Sequence, residues 1–343
     1  MMVKSWLKYA AAMSVMSVLC SAAYAADIKA IAIVTPEPGT DFGWNQQGIN
    51  AAREAGAKEG VKVMVADNLG YGDIRPTLRD LAEDGAQLII AHASGYNQSG
   101  PEIGAQANVP VAITDSPSSL KAGKVADYTV SGQEGAYLAG TLAAKMSRSG
   151  TIGIVVSGEP PSWNAQSSAF IRGARAARGD IKIRYAVIGP AAYSDAAGGK
   201  RVAASVIAAG ADIIFGQGNG SSFGMLQAVE TTPAPDGGKV YFIDVIGDKS
   251  PIDKGNLLSS VLWNLTPVYT AMIEDLKQDK FGSHNYKTSL ADGSISLLKT
   301  SHIPDDIWKS VNVVRDDIIS GKITVPADYD AKSLHTLLAA GGK

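Results

Sequence analysis

Two strings of this sequence place an acid in the same setting. VAITDS carries Asp115 and VYFIDV carries Asp244, each directly after an apolar, β-branched run. Carboxylates there could accept hydrogen bonds from ring N–H, amino or hydroxyl groups of a neutral ligand. Each alone could equally cap the turn that follows, but their occurrence in both halves of the chain favours the ligand reading. Aromatic residues stand at comparable places: Phe42 and Trp44 in TDFGWNQQG, then Tyr96, Trp163, Phe223 and Trp263. Rings at a cleft sandwich flat or apolar ligand faces, contributing about 1–3 kcal/mol per stacked base. Trp44 and Trp163 are each followed by an amide, Asn45 and Asn164, suited to reading a ring edge. Phe42 reads as a plug beneath its loop.

Other chemistries find no matching residues. Gly216-Gln217-Gly218-Asn219-Gly220 approaches a dinucleotide fingerprint, but the third required glycine is Ser221. Glycines that let backbone approach a ligand are the better use of that string. His92, His284, His302 and His335 share no metal-ligand spacing. Serines abound, but no His and Asp partners for a nucleophilic serine are evident. Recognition groups without a nucleophile imply a binder: no enzyme activity, cofactor or metal is expected.

The elements that must position these residues follow a βα rhythm, in which short Val/Ile-rich runs alternate with helical periodicity. Strands are expected at Lys29 to Val34, Val61 to Ala66, Gln87 to Ala91 and Val109 to Thr114. A second set is expected at Thr151 to Val156, Ile181 to Val187, Asp212 to Phe215 and Val240 to Ile243. Buried helix faces are expected at Ile74, Leu78 and Leu81, at Leu138, Leu142 and Met146, and at Ile307, Val311, Val314 and Ile318 behind Pro304. Each strand set makes one doubly wound α/β lobe, whose ligand sits beyond the carboxyl ends of its strands. Asp127 to Ser131, Leu257 to Trp263 and Ser283 to Thr288 read as three crossovers between the lobes. The expected division is a leader over 1–25, one lobe from 26–128 with 263–284, and a second from 129–262 with 285–343. A chain of 343 residues exceeds the ~250–300 at which single cores stop growing.

The leader reading rests on Lys4 and Lys8, an apolar run from Ala10 to Ala22, and Ala23-Tyr24-Ala25. That is the pattern of a secretory signal peptide cleaved after Ala25, and it implies a periplasmic protein. The only cysteine, Cys20, lies within it and lacks the small residue of a lipoprotein site, so neither a lipid anchor nor a disulfide is expected. With 31 basic and 33 acidic residues, nothing attracts a polyanion, and no nucleic-acid partner is expected.

The blocks TDFGWNQQG, SGQEGAYLAGTLAAKMS, TIGIVVSGEPPSWNAQSSAFIRGARAA, YSDAAGGKRVAASVIAAGADIIF and VYFIDVIGDKS, in that order, resemble the BMP (basic membrane protein, PnrA-like) family. These are substrate-binding proteins of ABC importers, commonly for nucleosides or purines. The resemblance runs from about Ile28 to Asp279. It implies a type I periplasmic-binding-protein fold: α/β, two doubly wound parallel-sheet lobes joined by three crossovers. It further implies a monomer that delivers to an ABC permease in the inner membrane. Carried onto matching positions, it makes Trp44 and Asn45 base contacts, Asp115 a contact after the fourth strand, Asp244 a ribose contact, and Trp163 and Phe223 stacking aromatics. One departure stands out. Nucleoside-binding members carry a lysine on the second crossover that reaches the ribose, and SSVLWN has Trp263 at the corresponding place.

The resulting site is Trp44, Asn45, Asp115, Trp163, Phe223, Asp244 and Trp263, and its expected ligand a purine base in preference to a nucleoside. A sugar-binding reading keeps the fold, because tryptophan faces and carboxylates also suit pyranoses. An exported nucleoside hydrolase using Asp115 or Asp244 as base is a third reading.

Overall fold

The computed structural model describes residues 27–340; the expected leader, with Cys20 and the cleavage position after Ala25, lies outside the described residues. The first sheet begins with β1 (Ala30–Val34), β2 (Lys62–Ala66), β3 (Ile89–Ala91), β4 (Val111–Thr114) and β5 (Val125–Val130). They are linked through α1 (Trp44–Glu59), α2 (Arg75–Glu83) and α3 (Ser99–Ala107). After α4 (Gly132–Met146) comes a second series: β6 (Thr151–Val156), β7 (Lys182–Val187), β8 (Ile213–Gln217), β9 (Tyr241–Ile246) and β10 (Leu257–Trp263). Its helices are α5 (Pro161–Ala177), α6 (Ala196–Ala208) and α7 (Ser221–Thr231). The chain ends with α8 (Thr266–Lys277), β11 (Tyr286–Thr288), β12 (Ile295–Leu297), α9 (Asp305–Ile319) and α10 (Ala331–Ala339).

Two six-stranded sheets result, ordered β11-β5-β4-β3-β1-β2 and β12-β10-β9-β8-β6-β7. Every pairing is parallel except β10 with β12. Central strands such as β4 and β6 are buried along their whole length, which is why they read as unbroken apolar runs. The outer strand β7 alternates exposed and half-buried positions instead. Helices cover both faces of each sheet. In the first lobe α1 and α8 pack on one face and α2 and α3 on the other. In the second, α4, α5, α9 and α10 oppose α6 and α7.

The chain passes between sheets three times, after β5, after β10 and after β11. Strand β11 pairs with β5, so the last passage follows Thr288. The helix faces expected at Ile74/Leu78/Leu81 and Leu138/Leu142/Met146 both pack into these cores. So does the face on α9. Helices α4 and α5 touch backbone to backbone: a Cβ at Gly140 would collide with the Phe170 carbonyl, and one at Gly173 with that of Tyr137. That contact ties the linker helix rigidly to the second lobe. Strand β12 and helix α10 are elements that the sequence periodicity does not announce.

Candidate ligand-binding site

The carboxyl ends of both sheets face each other across a cleft. Glu37 of the first lobe bonds Ser194 and, at 3.2 Å, Asn219 of the second. The rings of Phe42 and Phe223 meet edge to face at 6.1 Å, and Tyr71 and Tyr193 approach to 6.2 Å. Between the lobes lies a cavity of about 110 Å³. Trp44, Asp115, Trp163 and Trp263 line it, as do Tyr71, Tyr193 and Asn219.

Trp44 is the first residue of α1 rather than part of a loop, and the acid of TDFGWNQQG explains its place. Asp41 Oδ1 accepts the backbone N–H of Gly43 (2.9 Å) and of Gln46 (3.0 Å), and its Oδ2 accepts that of Asn45 (3.2 Å). These are orphan donors of a helix N-terminus, satisfied by a carboxylate that also suits the helix dipole. The indole lies flat on the His92 ring, centroids 3.8 Å apart, and its Nε1 donates to the His92 carbonyl at 2.9 Å.

His92 is fully buried and its tautomer is determined by its partners. Nε2 lies 2.8 Å from the Trp44 carbonyl, which only accepts, so Nε2 carries the proton. Nδ1 is then the acceptor for the hydroxyls of Tyr128 (2.6 Å) and Tyr269 (2.8 Å). Burial pushes the imidazole down to about 3, keeping it neutral. Gly48 makes room for this ring; any Cβ there would overlap it. Trp44 is thus braced against β5 and α8, the elements that carry two of the crossovers.

Asp115 closes β4 in the left-handed region, φ 54°, and turns its carboxyl into the cavity. The side chain remains open to cleft solvent, but protein encloses its other sides. That desolvation, with the neighbouring Asp127 charge, pushes it up to about 7. Asp127 is itself held by the Ser116 N–H (2.5 Å) and by Asn285.

Three of the expected residues stand behind the wall. Asn45 is fully buried, and its Nδ2 donates to Asp41 (2.7 Å) and Glu37 (3.3 Å), which fastens the loop. Asp244 is fully buried against Lys249, also fully buried, whose Nζ lies 3.4 Å from the Phe42 carbonyl of the other lobe. Phe223 packs on Phe42, with Lys249 Nζ 5.5 Å from its ring centre. Trp163, in the first turn of α5, meets Tyr193 edge to face at 5.4 Å. Trp263 stands perpendicular to Trp44 at 6.0 Å. Its Nε1 and Asn219 Oδ1 are buried with no hydrogen-bond partner in the protein. Tyr71, Tyr193 and Asn219 were not singled out by the sequence. The signal for the tyrosines was available, since both follow strands, β2 and β7, in stretches otherwise rich in Gly, Ala and Asp.

Among the described residues no cluster of His, Cys, Asp or Glu could hold a metal ion. No helix among them is long and apolar enough to cross a membrane.

The two-lobed fold has clear counterparts. The family model "ABC transporter substrate-binding protein PnrA-like" matches residues 28–329. This chain belongs to the Bmp family. Among Bmp relatives, the nucleoside-binding protein BmpA of a Lactococcus lactis ABC transporter is 27% identical over 325 residues, covering 88% of this chain and 90% of that one. A purine-binding protein of Brucella abortus is 24% identical over 312 residues, covering 89% and 85%. The crystal structure of an ABC-transporter solute-binding protein from Aeropyrum pernix superposes with a TM-score of 0.77 at 18% identity, covering 91% of this chain and 98% of that one. The last likeness shows the fold: two α/β lobes of the periplasmic-binding type. Membership of the Bmp family makes this chain a substrate-binding protein of an ABC transporter, a class that typically works outside the cytoplasm.

Proposed function

We propose that this Bmp-family protein captures a purine-like heterocycle, with the free base favoured over the nucleoside, and hands it to an ABC importer. The observation that carries the reading is the cavity wall itself. Three indoles, Trp44, Trp163 and Trp263, surround about 110 Å³, and their polar neighbours present both signs of hydrogen bond. Asp115 can accept, and the lining residues Ser94, Ser162, Tyr71 and Tyr193 carry hydroxyls that can donate. A purine carries ring N–H groups and ring lone pairs on one flat frame, which suits that set. His92 covers one face of Trp44, leaving the opposite face for a stacked ring. Relatives named for nucleoside binding and for purine binding support a ligand of this broad class, base or nucleoside.

The preference for a base rests on Trp263. This indole and Ile246 stand between the cavity and a second space of about 410 Å³ bordered by Gln47, Asp248 and Asn264. A sugar attached to the ring has no room on that side while the indole holds its place. Asp244, the position that the family resemblance assigns to ribose, is engaged by Lys249. We further propose that the protein is exported by its leader, cleaved after Ala25, and acts as a periplasmic monomer beside an inner-membrane permease.

Isothermal titration with adenine, guanine and xanthine, set against adenosine, inosine and a panel of monosaccharides, tests the reading. Saturable binding of at least one base, tighter than its nucleoside, is the expected result. Binding of a monosaccharide with no response to any purine would replace it with the sugar reading.

A further inference from the structure

The segment beyond α9 is fastened to the cleft by more contacts than a chain terminus needs. The β6–α5 connection, residues 157–160, delivers Pro160, Ser162 and Trp163 to the cavity. Asn164 staples that connection: its amide donates one hydrogen to the Glu159 carbonyl and the other to the Tyr329 carbonyl, both at 3.1 Å. The Glu159 side chain is held from two directions, by the Tyr185 hydroxyl and by His335 Nε2 of α10, each at 2.9 Å. Arg172 of α5 pairs with Asp328 at 2.7 Å, and Arg175 donates to the Leu337 carbonyl at 2.8 Å. Leu334 is wholly buried beneath α10, so the attachment has an apolar root as well.

Tyr329 differs from its neighbours. Its ring is 46% exposed, so it plugs no core. Its carbonyl takes the amide of Asn164, the residue after the cavity-lining Trp163, which sets Tyr329 beside that wall of the cleft. The family match ends at residue 329, so α10 falls beyond it.

We propose that residues 323–340 form a strap that sets ligand residence time, by holding the Glu159–Trp163 turn in shape through Asn164 and by placing Tyr329 beside that wall of the cleft. This rests on the interlobe cavity being the ligand site. Affinity differences between related complexes lie mostly in the off-rate, so release is the quantity the strap should govern.

Two variants test it. Tyr329→Ala removes an exposed ring and leaves the strap attached. Asp328→Ala/His335→Ala loosens the strap at both ends while keeping its buried leucine. Stopped-flow release of adenine, guanine or xanthine from Tyr329→Ala is expected to be about fivefold faster, with the on-rate and the melting temperature unchanged. Amide exchange in the ligand-free double variant is expected to accelerate at Trp163 and Asn164, whose N–H groups bond the Pro160 carbonyl. If either the release rate or the exchange is unaltered, the strap proposal fails. If the wild-type protein takes up no purine base, the proposed function fails instead, and exchange in the ligand-free protein alone then decides the strap.

Discussion

Lowering the pH should release the ligand through one carboxyl group. Asp115 reaches the cavity with its ionisation pushed up to about 7 by the enclosing protein and by Asp127. A ligand that donates N–H groups to this carboxylate binds the ionised form. The apparent dissociation constant then scales inversely with the ionised fraction, and at pH 5 about 1% of molecules are competent, giving about 100-fold weaker binding than at pH 9. His92 contributes nothing in this window, since burial holds it at about 3. Asp115→Asn should flatten the profile. It should also weaken binding above pH 8 by the worth of a charge-assisted hydrogen bond, ~1.5–3 kcal/mol, or about 10- to 150-fold. Stability runs the other way. A carboxyl whose folded-state value is raised favours the fold when protonated, so the ligand-free protein should lose stability as pH rises from about 4 to 7, then level off. Titrations of wild type and Asp115→Asn from pH 5 to 9, with purine as ligand, provide the assay. Wild-type affinity that is flat across this range, or a mutant that keeps the wild-type slope, would refute the reasoning.

Trp44→Ala should remove a stacking face worth ~1–3 kcal/mol per base, abolishing measurable binding of a weak ligand, while circular dichroism stays unchanged because Asp41 still caps α1. Lys249→Met should destabilise by ~3–5 kcal/mol in urea unfolding, since it strands a fully buried Asp244. Adding Asp244→Leu to that variant should recover most of the loss. His92→Leu should cost ~1–3 kcal/mol by leaving the Tyr128 and Tyr269 hydroxyls without their acceptor, visible as a lowered melting temperature.

The strands were legible because parallel strands between two helix layers are apolar throughout, as AIAIV in β1 and TIGIVV in β6 show. Once they were placed, the position of the cleft followed from the fold class. Two elements escaped. β12 is three residues long, and α10 is a short helix with Leu334 as its one fully packed residue. Within the site, Trp44, Asp115, Trp163 and Trp263 line the cavity. Asn45, Phe223 and Asp244 turned inward for a reason no spacing rule shows. Asp41 and Glu37 take up the Asn45 amide, Phe42 takes the Phe223 ring, and Lys249 folds back five residues onto Asp244. A linear sequence displays a polar side chain next to a strand end, but not the partner that satisfies it.

Native mass spectrometry of the protein purified without refolding tests the central claim most directly, because a closed cleft retains what it captured. The account predicts a mass increment equal to a purine base, lost when Trp44 is replaced by alanine. An increment matching a monosaccharide, or one that survives Trp44→Ala unchanged, would contradict it.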